Sequence, residues 1–130
     1  MKLLLDTHVF LRFISGDTRL HAYQRDAIRD PENEVFLSVV SVWEATVKHA
    51  LGKLPLPAEP AEYLPTQRQR HGIQSLSLDE ASVAQLSTLP NLHRDPFDRM
   101  LICQARHHGL AIVTIDRLFQ AYPIDRLEAR

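Results

Sequence analysis

Four short apolar segments of this chain alternate with longer segments in which apolar residues recur at helical spacing. The apolar segments are KLLL from position 2, EVFLSV from position 34, GIQSLSL from position 72 and LAIVTI from position 110. Strands that alternate with helices favour a parallel sheet covered by helices on both faces. The sequence therefore predicts an α/β fold, a three-layer α/β/α sandwich around a short, mainly parallel sheet.

Start and stop signals give the predicted helices their bounds. One helix is expected over 18–29, and another begins with Ser41 as its N-cap and Glu44 three residues later, the pattern of a capping box. Asp95 is an N-cap followed by proline, which predicts a helix from there to His108 before a glycine stop. The segment IDRL near the C-terminus is expected to add a final edge strand.

Length and composition limit the class of protein. The 130 residues fit one domain, 1–130, and the net charge of −1 argues against a generally basic nucleic-acid binder. The apolar runs are shorter than a membrane helix needs, and the N-terminus lacks a signal-peptide pattern, so we expect a cytoplasmic protein without a membrane anchor. The single Cys103 excludes an internal disulfide and a thiolate metal site.

Acidic residues follow the predicted strands or open the helices after them. Asp6 and Asp116 end the first and fourth strands, whereas Glu44, Asp95 and Asp98 lie in first helical turns. All five belong to the same edge of a parallel sheet, where ligands bind. Carboxylates that converge repel each other unless a cation lies among them, and oxygen ligands suit Mg²⁺ or Mn²⁺.

Helix capping is the competing interpretation of the same acids. A capping box explains Ser41 with Glu44, and Asp95 with Asp98 forms a related pattern. Asp6 and Asp116 are harder to explain by capping alone. Zinc is disfavoured, because no histidine or cysteine pair shows ligand spacing.

Four segments, taken in order, are similar to those of one family: LLLDTHVFLRF, SVVSVWEATVKHALGKLPLP, HRDPFDRMLICQA and IVTID. Together they span nearly the whole chain and resemble PIN-domain ribonucleases, in particular the VapC-like toxins of bacterial type II toxin–antitoxin pairs. This resemblance implies an α/β/α sandwich and metal-dependent endonucleolytic cleavage of RNA. It also implies a homodimer and an antitoxin that covers the active site.

The resemblance assigns roles to particular residues. The catalytic acids fall on Asp6, Glu44, Asp98 and Asp116, with Asp95 as a further ligand or only a cap. Thr7 and Thr114 are expected to orient carboxylates or water. Positive side chains beside the acids, Arg94 and Arg99, are candidates for contacts with RNA phosphates.

Three other functions remain open at this stage. A magnesium-dependent phosphatase with an aspartate nucleophile needs a second acid two residues after Asp6, where the chain has His8. A non-catalytic PIN-like RNA-binding or interaction module would use the acids only as caps. A nuclease of the same fold could also act on DNA, or in processing rather than as a toxin.

Large apolar side chains are concentrated on two predicted helices. We expect most of them to be core, and some to line a dimer interface or a groove for a partner's helix. These residues are Val9, Phe10, Phe13, Ile14 and Trp43.

Overall fold

The computed structural model describes residues 1–92 and 95–128 and contains a four-stranded sheet. Its strands are β1 (Lys2–Leu5), β2 (Glu34–Ser38), β3 (Gln74–Leu76) and β4 (Ala111–Val113). They lie in the order β3-β2-β1-β4, and every neighbouring pair is parallel. The predicted α/β fold with a parallel sheet is confirmed.

Helices cover both faces of the sheet. They are α1 (Thr7–Ser15), α2 (Ala22–Arg29), α3 (Val39–Ala50), α4 (Pro60–Arg70), α5 (Glu80–Ala84) and α6 (Pro96–His108), with 3₁₀ turns at Gln85–Thr88 and Arg117–Ala121. Leu3 and Leu5 of β1 pack in one cluster with α1 to α4, while Leu4 packs on the other face with α6. All three leucines are fully buried, because successive side chains of a strand point to opposite faces.

The long helix α6 has the bounds that its sequence signals predict. Asp95 is the N-cap, Pro96 is the first helical residue, and Gly109 follows His108 with a φ of 66°. This left-handed conformation is one that glycine adopts without the steric cost of a Cβ atom.

The predicted start of α3 is wrong. Ser38, not Ser41, is the N-cap, and its hydroxyl accepts a hydrogen bond of 3.0 Å from Val40 N. Ser41 is buried within the helix, and its Oγ lies 2.9 Å from the hydroxyl of Thr7. Glu44 therefore lies in the second turn of α3 rather than the first, and the predicted capping box does not form.

Three other predicted bounds differ from the structure. The second helix begins at Ala22 rather than at residue 18. Strand β4 ends at Val113, so Asp116 is not at the strand end but caps the following 3₁₀ turn. The expected final strand is a single bridge between Ile112 and Arg126.

The strand order places a topological switch point at β1. The chain proceeds from β1 to β2 and β3 in one direction, and β4 is added on the other side of β1. The crevice beyond the carboxyl ends of β1 and β4 is where open α/β sheets bind ligands. Within the described ranges, no helix has the length and apolar character needed to cross a membrane.

Candidate metal centre

Asp6 is fixed at the switch point by two hydrogen bonds. It directly follows β1 and caps α1, its Oδ1 accepting from Val9 N at 2.9 Å. Its Oδ2 accepts from Thr114 Oγ1 at 2.5 Å, and the same hydroxyl accepts from Asp116 N at 3.0 Å. Burial raises the pKa of Asp6, and these two hydrogen bonds oppose the rise. Thr114 thus connects the loop after β4 to the carboxylate after β1.

Glu44 projects from the second turn of α3 into the protein interior. The residue is buried, and its carboxylate accepts a hydrogen bond of 2.7 Å from the hydroxyl of Thr7. The other carboxylate oxygen pairs with the ammonium of Lys48, one helical turn later. These two contacts hold the Glu44 side chain in one orientation.

Asp95 and Asp98 open α6, but only Asp95 caps it. Asp95 Oδ1 accepts from Phe97 N at 2.8 Å and from Asp98 N at 3.1 Å. The pKa of Asp98 is raised to about 8, first by burial and then by the charges of four other acids. Those acids are Asp95, Glu44, Asp6 and Asp116, in order of effect.

All four of the other predicted acids lie near enough to Asp98 to act on it electrostatically. They come from separate elements: Asp6 follows β1, Glu44 is in the second turn of α3, Asp95 caps α6 and Asp116 caps the last 3₁₀ turn. Asp116 caps its 3₁₀ turn through Oδ1, which accepts from Leu118 N at 2.9 Å. Helix capping therefore accounts for the backbone hydrogen bonds that Asp6, Asp95 and Asp116 accept. It does not explain why Glu44 and Asp98 lie near these three residues.

Lys48 is a residue of this site that the sequence reasoning missed. Burial acts to lower the pKa of Lys48, but the hydrogen bond and charge of Glu44 and the charges of Asp95 and Asp98 raise it overall. Lys48 thus places a positive charge among the acids. Its sequence signal, a glutamate and a lysine four residues apart, is equally typical of an ordinary surface pair on a helix.

The donor set of this centre fits a hard divalent cation. All of the predicted ligands are carboxylates, which suit Mg²⁺ and Mn²⁺. In the described part of the chain, the three metal-type ligand atoms within 4.8 Å of one another belong to a different group, Asp79, His107 and His108. The wider spacing of the acids suits Mg²⁺, which keeps several waters and contacts few carboxylates directly.

Of the two arginines predicted to contact RNA, the structure describes only Arg99. Arg94 lies outside the described residues. Arg99 turns toward the loop before α6, where its guanidinium donates a hydrogen bond of 3.0 Å to Pro90 O. A groove of about 360 Å³ borders Thr114 and Asp116 and is also lined by Tyr23, Arg117 and Arg126.

Sequence reasoning did not find this groove. His21 and Tyr23 are about ninety or more positions from the lining residues of the C-terminal segment, and no local pattern joins the two groups. The connection between the two segments is a buried side chain, since Gln24 donates a hydrogen bond of 2.9 Å to Thr114 O.

Comparisons with known proteins place the chain in a family. The PIN domain family model matches residues 3–124. The Mycobacterium tuberculosis protein Ribonuclease VapC16 is 40% identical over 60 residues, a match of 46% of this chain and 43% of that protein. The match therefore spans less than half of this curated relative.

Solved structures of low identity share the fold over nearly their whole length. VapBC2 from Rickettsia felis, bound to a DNA fragment from its promoter, has a TM-score of 0.72 at 15% identity, covering 98% of each chain. DNA-bound VapBC from Salmonella typhimurium has a TM-score of 0.66 at 21% identity, covering 98% of this chain and 97% of that one. The family model matches nearly every residue, and the solved structures share the fold of this chain. The chain therefore belongs to the PIN domain family.

Proposed function

We propose that this chain is a metal-dependent endoribonuclease and the toxin of a type II toxin–antitoxin pair. The observation that carries the proposal is the convergence of Glu44 and Asp98 with three capping aspartates at the switch point of the sheet. Neither Glu44 nor Asp98 is required there by helix capping. A fold keeps such mutually repelling acids together when they serve a cation.

Five acids are available to hold Mg²⁺ or Mn²⁺ in this proposal. In this proposal Asp6, Asp98 and Asp116 are the ligands, and Asp95 and Glu44, whose charges also act on Asp98, are further candidates. A bound divalent cation supplies activation of water and stabilises the negative charge that develops on an attacked phosphate.

The residues around the acids have positioning roles. Glu44 is held by Thr7 and Lys48, so that it can orient the attacking water and accept its proton. Thr114 fixes Asp6 Oδ2 through its 2.5 Å hydrogen bond. These contacts pre-organise the carboxylates, which is how neighbours of metal ligands usually act.

The groove beside Asp116 supports a nucleic-acid substrate. Arg117 and Arg126 can contact phosphates, and the ring of Tyr23 can stack on an unpaired base. We propose that single-stranded RNA enters the acidic centre through this groove. Arg94 and Arg99 remain candidates for phosphate contacts.

A cleavage assay tests the reaction and the substrate class together. Purified protein is incubated with end-labelled single-stranded RNA and with DNA of the same sequence, each with Mg²⁺, with Mn²⁺ or with EDTA. We expect cleavage of the RNA that needs metal and little cleavage of the DNA. Cleavage unaffected by EDTA would refute the metal mechanism, and preferential cleavage of DNA would refute the substrate class.

The proposed antitoxin partner has a candidate contact surface beside the acids. Val9, Phe10 and Phe13 are buried in the core, so they are not available to a partner. Trp43, by contrast, is 57% exposed and lies edge-on to Phe97, with ring centroids 4.8 Å apart. Since Phe97 lies in the first turn of α6 with Asp98, a segment that binds this aromatic pair would lie beside the acidic end of that helix.

Two experiments test the assembly part of the proposal. Co-expression with the product of the neighbouring gene should give a stable complex with wild-type protein and a weaker one with Trp43→Ser. Sedimentation of the isolated chain should show a homodimer.

We also place the activity in the cytoplasm, as the sequence predicts.

A further inference from the structure

Three metal-type side chains form a cluster at the opposite end of α6 from the acidic centre. Asp79, His107 and His108 each offer one ligand atom, and the three atoms lie within 4.8 Å of one another. Ten residues of helix separate Asp98 from His108, a distance of about 15 Å along the axis. The proposed nuclease uses none of these three residues.

The carboxylate of this cluster is held in place by its own helix. Asp79 caps α5, and its Oδ1 accepts a hydrogen bond of 2.8 Å from Ser82 N. Its Oδ2 lies 3.0 Å from Nε2 of His108. One oxygen thus fixes the side chain while the other faces the imidazoles.

The two imidazoles belong to the last turn of α6, which ends at His108 and is capped by Gly109. Leu110 N donates to Ala105 O at 3.0 Å, closing the turn over Gly109. The rings of His107 and His108 meet edge to face, with centroids 4.8 Å apart and an angle of 79°. An ion pair with Asp79 needs only one histidine. It therefore does not explain why the second imidazole also lies within 4.8 Å of the carboxylate.

Two imidazoles and one carboxylate form a donor set that binds zinc with a water as fourth ligand. Zinc bonds of about 2.0 Å in a tetrahedral site place two ligand atoms about 3.3 Å apart. The 3.0 Å between Asp79 and His108 is close to that value. Both histidines are exposed enough to complete the site by small rotations of their side chains.

We propose that Asp79, His107 and His108 form a second metal site, able to bind Zn²⁺, which clamps the start of α5 onto the end of α6. This site is independent of the proposed nuclease, because its ligands lie at the other end of α6. No sequence pattern predicts this site, because two adjacent histidines on a helix are not a recognised ligand spacing and Asp79 is distant in the chain.

Calorimetric titration of Zn²⁺ into the protein tests the proposal, with excess Mg²⁺ present to occupy the acidic centre. We expect one Zn²⁺ site in the wild type and the same site in Asp6→Asn. Affinity should fall about tenfold or more in Asp79→Asn, His107→Gln and His108→Gln. His71→Gln removes an exposed histidine elsewhere and should bind Zn²⁺ like the wild type.

Thermal unfolding provides a second readout and shows that each variant folds. Asparagine caps helices about as well as aspartate, so Asp79→Asn keeps the cap while it removes the ligand charge. Zn²⁺ should raise the melting temperature of the wild type and of His71→Gln, but not of the three cluster variants. The proposal is overturned if the wild type shows no such site, or if the cluster variants bind Zn²⁺ as tightly as the wild type.

Discussion

Asp6, Asp95 and Asp116 each cap a helical element with one carboxylate oxygen. Capping and metal binding are therefore not alternatives at these residues, since a carboxylate that accepts from a backbone amide has further lone pairs that can bind a cation. This explains why the sequence pattern of these acids was ambiguous. Glu44 and Asp98 distinguish the two interpretations, because they join the centre without capping a helix.

At the residue scale, Asp98 should make the metal-free protein sensitive to pH. Its pKa is about 8 in the folded protein against an ordinary value of 3.8, so the folded state binds the proton more tightly. The free energy of unfolding should therefore fall as the pH rises from about 4 to about 8. Urea unfolding in EDTA at several pH values measures this slope.

Asp98→Asn is the matched variant for that measurement. Its slope over the same pH range should be smaller than that of the wild type. Some slope should remain, because burial also raises the pKa of Asp6. Equal slopes in the two proteins would mean that Asp98 is not buried among like charges.

A second residue-scale prediction concerns the hydroxyl of Thr114. Thr114→Val removes the donor to Asp6 and the acceptor for Asp116 N. We expect kcat for RNA cleavage to fall about 10–100-fold with little change in KM, because Asp6 loses its orientation. Thr46→Val is the control, since that hydroxyl donates to Val42 O on the exposed side of α3. Equal activity of both variants would rule out the positioning role.

At the element scale, α6 was predictable and the start of α3 was not. The local signals of α6 agree, with Asp95 and Pro96 at its start and Gly109 at its end. For α3 the sequence contains two serines that could serve as the N-cap. The serine that does so, Ser38, also makes a tertiary contact. Ser38 donates a buried hydrogen bond of 2.6 Å to Gln104 of α6, and no local pattern reveals that partner.

This assignment gives an element-scale prediction. Ser38→Ala loses both the N-cap of α3 and the partner of Gln104, so it should lower the free energy of unfolding by about 2–3 kcal/mol. Ser41→Ala should cost less, because Thr7 keeps its hydrogen bond to Glu44. Denaturant titration of both variants measures the difference, and a larger loss at Ser41 would support the helix start predicted from sequence.

At the scale of the whole molecule, the sequence predicted which edge of the sheet carries the acids but not how they are arranged there. Alternating strands and helices were enough to place all five at the carboxyl ends of parallel strands. The strand order, which brings Asp6 and Asp116 together at the switch point, depends on packing between distant segments. The same limit applies to Lys48, whose position among the acids follows from the orientation of α3 against α6.

Metal should stabilise the whole fold through this centre. Because the acids repel one another, Mg²⁺ or Mn²⁺ should raise the melting temperature of the wild type, and EDTA should reverse the change. Asp98→Asn relieves part of the repulsion, so it should be more stable than the wild type in EDTA and should gain less from Mg²⁺. A metal-induced shift as large as that of the wild type would place the cation elsewhere.

The central claim is that the acidic centre cleaves RNA, and a pair of isosteric variants tests it most directly. Asp6→Asn keeps the cap on α1 but removes a proposed ligand charge. Asp30→Asn makes the same change at an exposed aspartate that accepts from Glu32 N at 2.9 Å. We predict that both variants fold, that Asp30→Asn cleaves labelled RNA in Mg²⁺ like the wild type, and that Asp6→Asn does not. Cleavage by Asp6→Asn at the wild-type rate would contradict the account.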